Sequence, residues 1–273
     1  MMLYAAKLRM YSVYRSLFAR KAFFWLNRIL YQMSLRGMGI LNHENNSVSG
    51  EQAFLTAFLG QTRNAVVFDV GANVGTYSVH VLKNQPTAHV YAFEPHPVTF
   101  RTLDESARKL GYSAIRAGCG AKRTRATLYD YADNDGSAHA TLYRTAIEDL
   151  RRTRVVGHTV RLIRLDDFVR QRHIDFVDLV KIDVEGNELN VLKGFHSSIA
   201  AGKVGCMHFE FNEMNVLSRT FFIDFANCLP GYSFHRMLPH GLLPLESYSA
   251  LTHEVFGYKN LVALLDSRGP RFS

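Results

Sequence analysis

Asp69, Gly71, Asn73 and Gly75 stand at alternate positions directly after Val66-Val67-Phe68, and their types and spacing are the first in the chain to suggest chemistry. The apolar run reads as a buried strand, the glycines as a tight turn, and Thr76-Tyr77-Ser78-Val79 as the start of a helix. Such a turn directs backbone N–H groups into a crevice, where they suit a carboxylate or a phosphate. The plain alternative is an ordinary strand-turn-helix in which Asn73 or Thr76 caps the helix.

Dinucleotide-binding turns ask for G-x-G-x-x-G, whose second glycine admits a pyrophosphate. Here Asn73 replaces that glycine, and Asp69 sets a carboxylate two residues ahead of the first. That charge repels a pyrophosphate and suits a cation, such as the ammonium and sulfonium of S-adenosylmethionine. Glu94, in Phe93-Glu94-Pro95, falls at the expected tip of the second strand and can accept from both hydroxyls of a ribose. NAD carries the same ribose, so only Asp69 and Glu94 together favour the sulfonium cofactor.

A third group closes a later apolar run: Lys181-Ile182-Asp183-Val184-Glu185. Alternation in an extended segment puts Lys181, Asp183 and Glu185 on one side, a heavy charge for the end of a buried strand. A lysine–carboxylate pair serving structure alone explains it; so does a site in which Asp183 meets the cofactor or the acceptor while Lys181 and Glu185 orient or deprotonate it. Asp183, Glu185, Glu210 and His208 are the candidate bases.

The elements that must position these groups alternate. Strands are expected over 65–70, 88–93, 112–117, 177–183, 204–211, 232–238 and 258–265, and helices over 74–84, 97–110, 188–194 and near 221–228. This is the pattern of βαβ units around a parallel sheet covered on both faces. Ser49 and Gln52 have the form of a capping box for a helix running through Leu59. Between 118 and 165 the alternation pauses in a β-rich insertion, with short strands expected at 124–129 and 138–143, a turn at Asp133 to Ser137, and a solvated cluster of Arg151, Arg152 and Arg154. Pocket residues are expected from the N-terminal helices, this insertion, and the loops at Glu213 and Pro239-His240-Gly241.

Charge separates the chain into parts. The formal charge is +8, yet Lys7, Arg9, Arg15, Arg20, Lys21, Arg28 and Arg36 precede the first acid; the other 25 of 32 cations face 24 acids. A near-neutral domain over 47–266 therefore follows a basic, aromatic-rich helical extension over 1–46 and ends in a polar tail over 267–273, and nucleic acid is not an expected partner. The extension suits an anionic membrane surface or a partner, or packs on the domain with its cations outward; an acid-free, Arg-rich start also resembles a transit peptide. Cys119, Cys206 and Cys228 are scattered, which argues against disulfides or zinc and for a reducing compartment. No apolar run nears the ~18 residues of a membrane span. A cytoplasmic location is expected.

Phe-Asp-Val-Gly-Ala-Asn-Val-Gly-Thr-Tyr-Ser at 68–78, Ala-Phe-Glu-Pro at 92–95, Arg-Leu-Asp-Asp-Phe at 164–168 and Leu-Val-Lys-Ile-Asp-Val-Glu-Gly-Asn-Glu at 179–188 together resemble the FkbM-type methyltransferase family, in matching order over roughly 47–265. The resemblance implies an α/β fold, a class I Rossmann-like sheet of seven strands whose last is antiparallel and inserted between two others. It implies S-adenosylmethionine as donor and a hydroxyl acceptor, commonly on a sugar, glycan or secondary metabolite. By position Asp69, Gly71, Asn73 and Gly75 match the cofactor loop, Glu94 the ribose carboxylate and Asp183 the strand-end acid; Asn187 departs mildly, where Ala is common. No Asn/Asp-Pro-Pro-Tyr or Pro-Cys motif points to nucleobase chemistry. Asp183 and Glu185 could hold Mg²⁺ through two oxygens, but a metal-assisted site would want several carboxylates with an Asp-Asn pair around the acceptor, and no required metal is expected.

Overall fold

The computed structural model describes residues 2–150 and 152–268; Arg151 and most of the expected polar tail lie outside the described residues. The chain opens with helices α1 (Met2–Phe18), α2 (Phe24–Gly37) and α3 (Glu51–Leu59). It continues through β1 (Val66–Val70), α4 (Thr76–Asn84), β2 (His89–Phe93), α5 (Pro97–Leu110) and β3 (Ser113–Ile115). The insertion supplies β4 (Gly118–Cys119), β5 (Thr124–Tyr131) and β6 (Val155–Ile163). Then come α6 (Leu165–Gln171), β7 (Val177–Ile182), α7 (Glu188–Lys193), α8 (His196–Ala200) and β8 (Val204–Phe211). The chain closes with α9 (Met214–Leu217), α10 (Phe222–Cys228), β9 (Tyr232–Leu238), β10 (Gly241–Pro244), α11 (Ala250–His253) and β11 (Lys259–Leu265).

The main sheet runs β3-β2-β1-β7-β8-β11-β9-β10. Strand order reverses between β1 and β7, and β11 is antiparallel to both β8 and β9, as in the class I Rossmann-like sheet. The sheet has eight strands rather than the seven expected. After β9 the chain turns at Pro239-His240-Gly241 and pairs back as β10, covering an edge that would otherwise expose its backbone.

Alternation along each strand divides the core in two. Phe68 and Val70 join Phe93, Val180, Ile182, Phe195 and Phe209 on one face, while Val67 joins Val90, Leu103, Leu179 and Phe54 on the other. Asp69 lies in register with Val67, on the α3–α4 face, which is why it meets Ser78 of α4.

The insertion is a separate three-stranded sheet, β4-β6-β5, closed over Leu128, Val160 and Leu162. Its long strand β6 is absent from the sequence expectation, and the strand expected at 138–143 does not form. β6 takes one edge of β5 along its whole length, and the 138–143 segment makes only the isolated bridge between Tyr129 and Thr141. The expected capping box also fails: Gly50, left-handed at φ 87°, caps α3, and Ser49 Oγ only accepts from Glu51 N at 3.4 Å.

The extension does not pack on the domain as one reading expected. Every described side chain from Tyr4 to Leu17 is exposed, and Leu35 is the one buried residue of α2. Docking begins at Leu35 and Ile40, where Leu41 N donates to Tyr258 O at 2.7 Å.

The closest approach at the switch point is Gly71, at φ 83°, where a Cβ would stand 1.7 Å from Asp183 O. Gly111 shares the left-handed geometry, φ 81°, with nothing within 4 Å. Gly71→Ala should therefore cost about 3 kcal/mol and Gly111→Ala about 1 kcal/mol in urea unfolding, the difference being the steric part. Equal losses would remove the argument that the loop and the end of β7 are locked together.

Candidate active site

The carboxyl ends of β1, β2 and β7 open onto a cleft of about 400 Å³. Asp69, at the end of β1, is buried, and its Oδ2 accepts from Ser78 N at 3.1 Å and Ser78 Oγ at 2.6 Å. Glu94, just past β2, accepts from Asn73 N at 2.8 Å with Oε2 and from His96 N at 2.7 Å with Oε1. The strand-tip acid thus holds the glycine turn in place.

Four amides of the turn itself are taken up inside the protein. Gly71 N and Ala72 N both donate to Phe93 O at 3.0 Å, Gly75 N to Ala72 O at 2.8 Å, and Asn73 N to Glu94. Gly75, at φ 90°, does not reach the cleft; a Cβ there would stand 2.5 Å from Tyr112 Oη behind the loop.

At the tip of β7, Lys181 is buried with its Nζ 3.1 Å from Asp183 Oδ2 and 3.9 Å from Glu210 Oε1 on β8. Burial alone would lower the lysine's pKa, but Asp183, Glu210 and Glu51 outweigh it and hold the ammonium well above its ordinary value. Glu185 is not in extended register with these two. β7 ends at Ile182, and Glu185 adopts φ 51°, which turns its carboxylate toward His139, at 3.1 Å, and its carbonyl to Thr141 Oγ1, at 2.8 Å. The insertion, rather than strand alternation, brings Glu185 to the cleft.

Glu51, Asp69, Glu94, Asp183, Glu185 and Glu210 line the cleft against Lys181 alone. Burial pushes Asp69 up to about 6 and Glu94 up to about 7, each against the pull of its hydrogen bonds. Burial, with Asp183 adding to it, raises Glu210 well above the carboxylate range. Each shift records a carboxyl group that loses more hydration on burial than its hydrogen bonds and neighbours restore. From the sequence, Glu51 reads only as the opening of a helix that resembles the family pattern and Tyr258 only as the start of the last strand; neither is expected in the cleft, yet both line it. Neither α1, α2, Glu213 nor the 239–241 turn lines the cleft, whereas Leu128, Ser137, Ala138, Ala140, Leu142 and Leu162 of the insertion do. His208, one of the candidate bases, is fully buried between Tyr77 Oη and Asn260 Oδ1, and burial holds its pKa well below the usual value.

The methyltransferase FkbM domain model matches residues 69–239. The chain belongs to this family. It is 33% identical over 152 residues to the 31-O-demethyl-FK506 methyltransferase FkbM of Streptomyces tacrolimicus, covering 47% of this chain and 58% of that protein. It is 29% identical over 151 residues to the hexuronic acid methyltransferase AglP of Haloferax volcanii, covering 55% of this chain and 58% of that protein. The chain therefore spans under two thirds of either relative. Among solved structures, the fibrillarin pre-rRNA processing protein of Methanococcus jannaschii overlays with a TM-score of 0.45 at 13% identity, over 81% of this chain and 76% of that one.

One cluster beside the FkbM site has the composition of a metal centre. His96, Asp135 and His158 bring one ligand atom each within 4.8 Å of the others. The tautomer argues against it. His96 Nδ1 accepts from Val98 N at 3.2 Å as the N-cap of α5, so the proton sits on Nε2, which faces Asp135 at 3.0 Å and Asp130 at 3.5 Å. A nitrogen that donates has no lone pair for a cation. The cluster instead clasps the 130–137 turn, where Asp130 accepts from Tyr131 N, Gly136 N and Ser137 N at 2.8 Å each and from Ser137 Oγ at 2.5 Å. Calorimetric titration with Zn²⁺ should give no stoichiometric heat, whereas Asp130→Ala should cost about 3 kcal/mol in urea unfolding. One-to-one zinc binding abolished by His158→Ala would restore the metal reading.

Proposed function

We propose that the chain is an S-adenosylmethionine-dependent O-methyltransferase acting on a hydroxyl of a sugar, glycan or other metabolite. The observation that carries this reading is the cleft with six carboxyl groups and one ammonium. An NAD pyrophosphate would meet that charge with its own, and the amides of Gly71, Ala72, Asn73 and Gly75 are already committed. A ligand with a sulfonium and an ammonium answers the excess. Asp69 and Asp183 suit its positive groups, and Glu94 suits its ribose, since two backbone bonds do not exhaust the roughly four acceptor sites of a carboxylate. The names of the two relatives, one specifying a hexuronic acid and one a 31-O-demethyl compound, support an oxygen acceptor.

When bound, the cofactor supplies a methyl group on a cationic sulfur already activated for displacement. The protein's tasks are alignment, exclusion of water and removal of one proton. Lys181 fixes Asp183 at the strand tip, and Asp183 receives the hydroxyl proton as the acceptor oxygen loses it. Glu185, held by His139 and Thr141, orients the acceptor from the insertion side. Leu128, Ala138, Ala140, Leu142 and Leu162 keep that side dry.

Calorimetry should give heat with S-adenosylhomocysteine and none with NADH. Glu94→Ala should weaken the former about 100-fold, equivalent to ~2.7 kcal/mol. With radiolabelled methyl donor and a panel of hydroxyl acceptors, Asp183→Asn should lower kcat about 100-fold or more. Heat with NADH alone reverses the assignment, and full turnover by Asp183→Asn and Glu185→Gln with unchanged cofactor affinity removes those two from the proton transfer while leaving the methyl transfer standing.

The raised carboxyls set a pH dependence. An acid whose folded pKa exceeds its unfolded one stabilises the ligand-free protein at low pH, and that contribution is lost as pH rises through about 6 for Asp69 and about 7 for Glu94. A cationic ligand needs the ionised forms, so affinity for S-adenosylmethionine should rise through the same window with proton release. Titration in two buffers of different ionisation enthalpy reads those protons; pH-independent affinity with no release contradicts the charge argument.

A further inference from the structure

Short of Leu35, where α2 docks, helices α1 and α2 form a pair left exposed by the other described segments. They meet near their junction, where Tyr14 Oη donates to Asn27 Oδ1 at 2.5 Å, Asn27 Nδ2 donates to Phe18 O at 2.9 Å, and Phe18 sits edge-on to Phe23 at 5.3 Å. Beyond these contacts the pair presents Tyr4, Tyr11, Tyr31, Met33, Phe24 and Trp25 to solvent, the last 62% exposed. Helices this short gain most of their stability from packing, and an exposed apolar surface of this extent marks a contact site.

Charge selects what is contacted. Seven cations and no acid occupy residues 1–43. A second copy of this chain would set the same seven cations against them, so self-pairing through this surface is opposed. The apolar side chains run round both helices rather than along one ridge, so they do not match a single groove on a folded partner. A lipid interface needs no such ridge: it takes aliphatic and aromatic groups at the acyl boundary and cations at the headgroups. Tyr and Trp, each an apolar ring with a polar tip, suit that depth. Neither helix is long and apolar enough to cross a membrane.

We propose that α1 and α2 dock the protein on an anionic lipid surface, lying in its interface with Trp25 inserted. Substrate reaching the cleft is then met beside a membrane. The proposal is independent of the methyl-transfer chemistry.

Trp25 is the chain's single tryptophan, so its emission reports on this surface directly. The full chain is mixed with phosphatidylcholine vesicles and with phosphatidylcholine–phosphatidylglycerol vesicles, then floated. Partition should be at least about tenfold stronger with phosphatidylglycerol, with a blue shift of Trp25 emission, and should fall when about 1 M NaCl is present during mixing. Arg9→Glu, Arg15→Glu, Lys21→Glu and Arg28→Glu combined should return partition to the phosphatidylcholine level with S-adenosylhomocysteine binding unchanged. Equal partition on both vesicles, or no shift of Trp25, overturns the proposal. So does a concentration-dependent shift without lipid, accompanied by dimer mass in light scattering, which assigns the surface to a second copy.

Discussion

The cleft depends on an imbalance of charge removed from water. Carboxyl groups at the ends of β1, β2, β7 and β8, with one more from α3, surround the single ammonium of Lys181. Burying a carboxylate without a counter-charge is expensive, and of the six Asp69 and Glu94 are the most deeply buried. The chain moderates the cost with hydrogen bonds: Ser78 on Asp69, two backbone amides on Glu94, and Lys181 shared between Asp183 and Glu210. What remains appears as the raised proton affinity of Asp69, Glu94 and Glu210.

The topology makes that arrangement reachable. Only where strand order reverses do neighbouring helices leave to opposite faces of the sheet and open a crevice at the strand ends. β1 and β7 meet there, and Gly71 lets the turn after β1 press against the backbone of Asp183. The anchoring of Asn73 by Glu94 then ties the turn to β2. Three motifs far apart in the chain become one rigid rim because each completes the hydrogen bonds of the next.

Much of this rim was legible in the chain because it is written in local patterns. A β-run ending in a carboxylate and glycines, a Phe-Glu-Pro tip and an alternating Lys-x-Asp each reveal themselves within a few residues. Glu51 and Tyr258 were not legible: they reach the cleft through α3 and the entry to β11, and no short spacing encodes that approach. Glu210 was noted as a candidate base, but its pairing with Lys181 across β7 and β8 was invisible. The amides of the glycine turn were misread for a related reason. Two of them donate to Phe93 O on the adjacent strand and one to Glu94 beyond it, and a turn viewed alone shows donors without the acceptors that use them. Asp166 illustrates the converse. It lies in a motif shared with the FkbM family, yet its carboxylate accepts from Ser197 N, Ser198 N and Ser198 Oγ at the start of α8, a structural task.

The insertion extends the same logic to the acceptor side. Alternation alone would have kept Glu185 beside Lys181 and Asp183, adding a third charge to one crowded strand end. Instead the chain leaves β7, Glu185 takes a left-handed backbone, and His139 and Thr141 hold it. A non-glycine residue in that region costs of order 1 kcal/mol and persists only when its surroundings impose it. Those surroundings are the turn that Asp130 gathers and His96 clasps from the foot of α5. The residue that caps α5 therefore also supports the 130–137 turn, and Glu94, two positions earlier, holds the glycine turn. Through that short stretch of chain after β2, the glycine turn and the insertion share one support, made of the Glu94 carboxylate on one side and the His96 ring on the other.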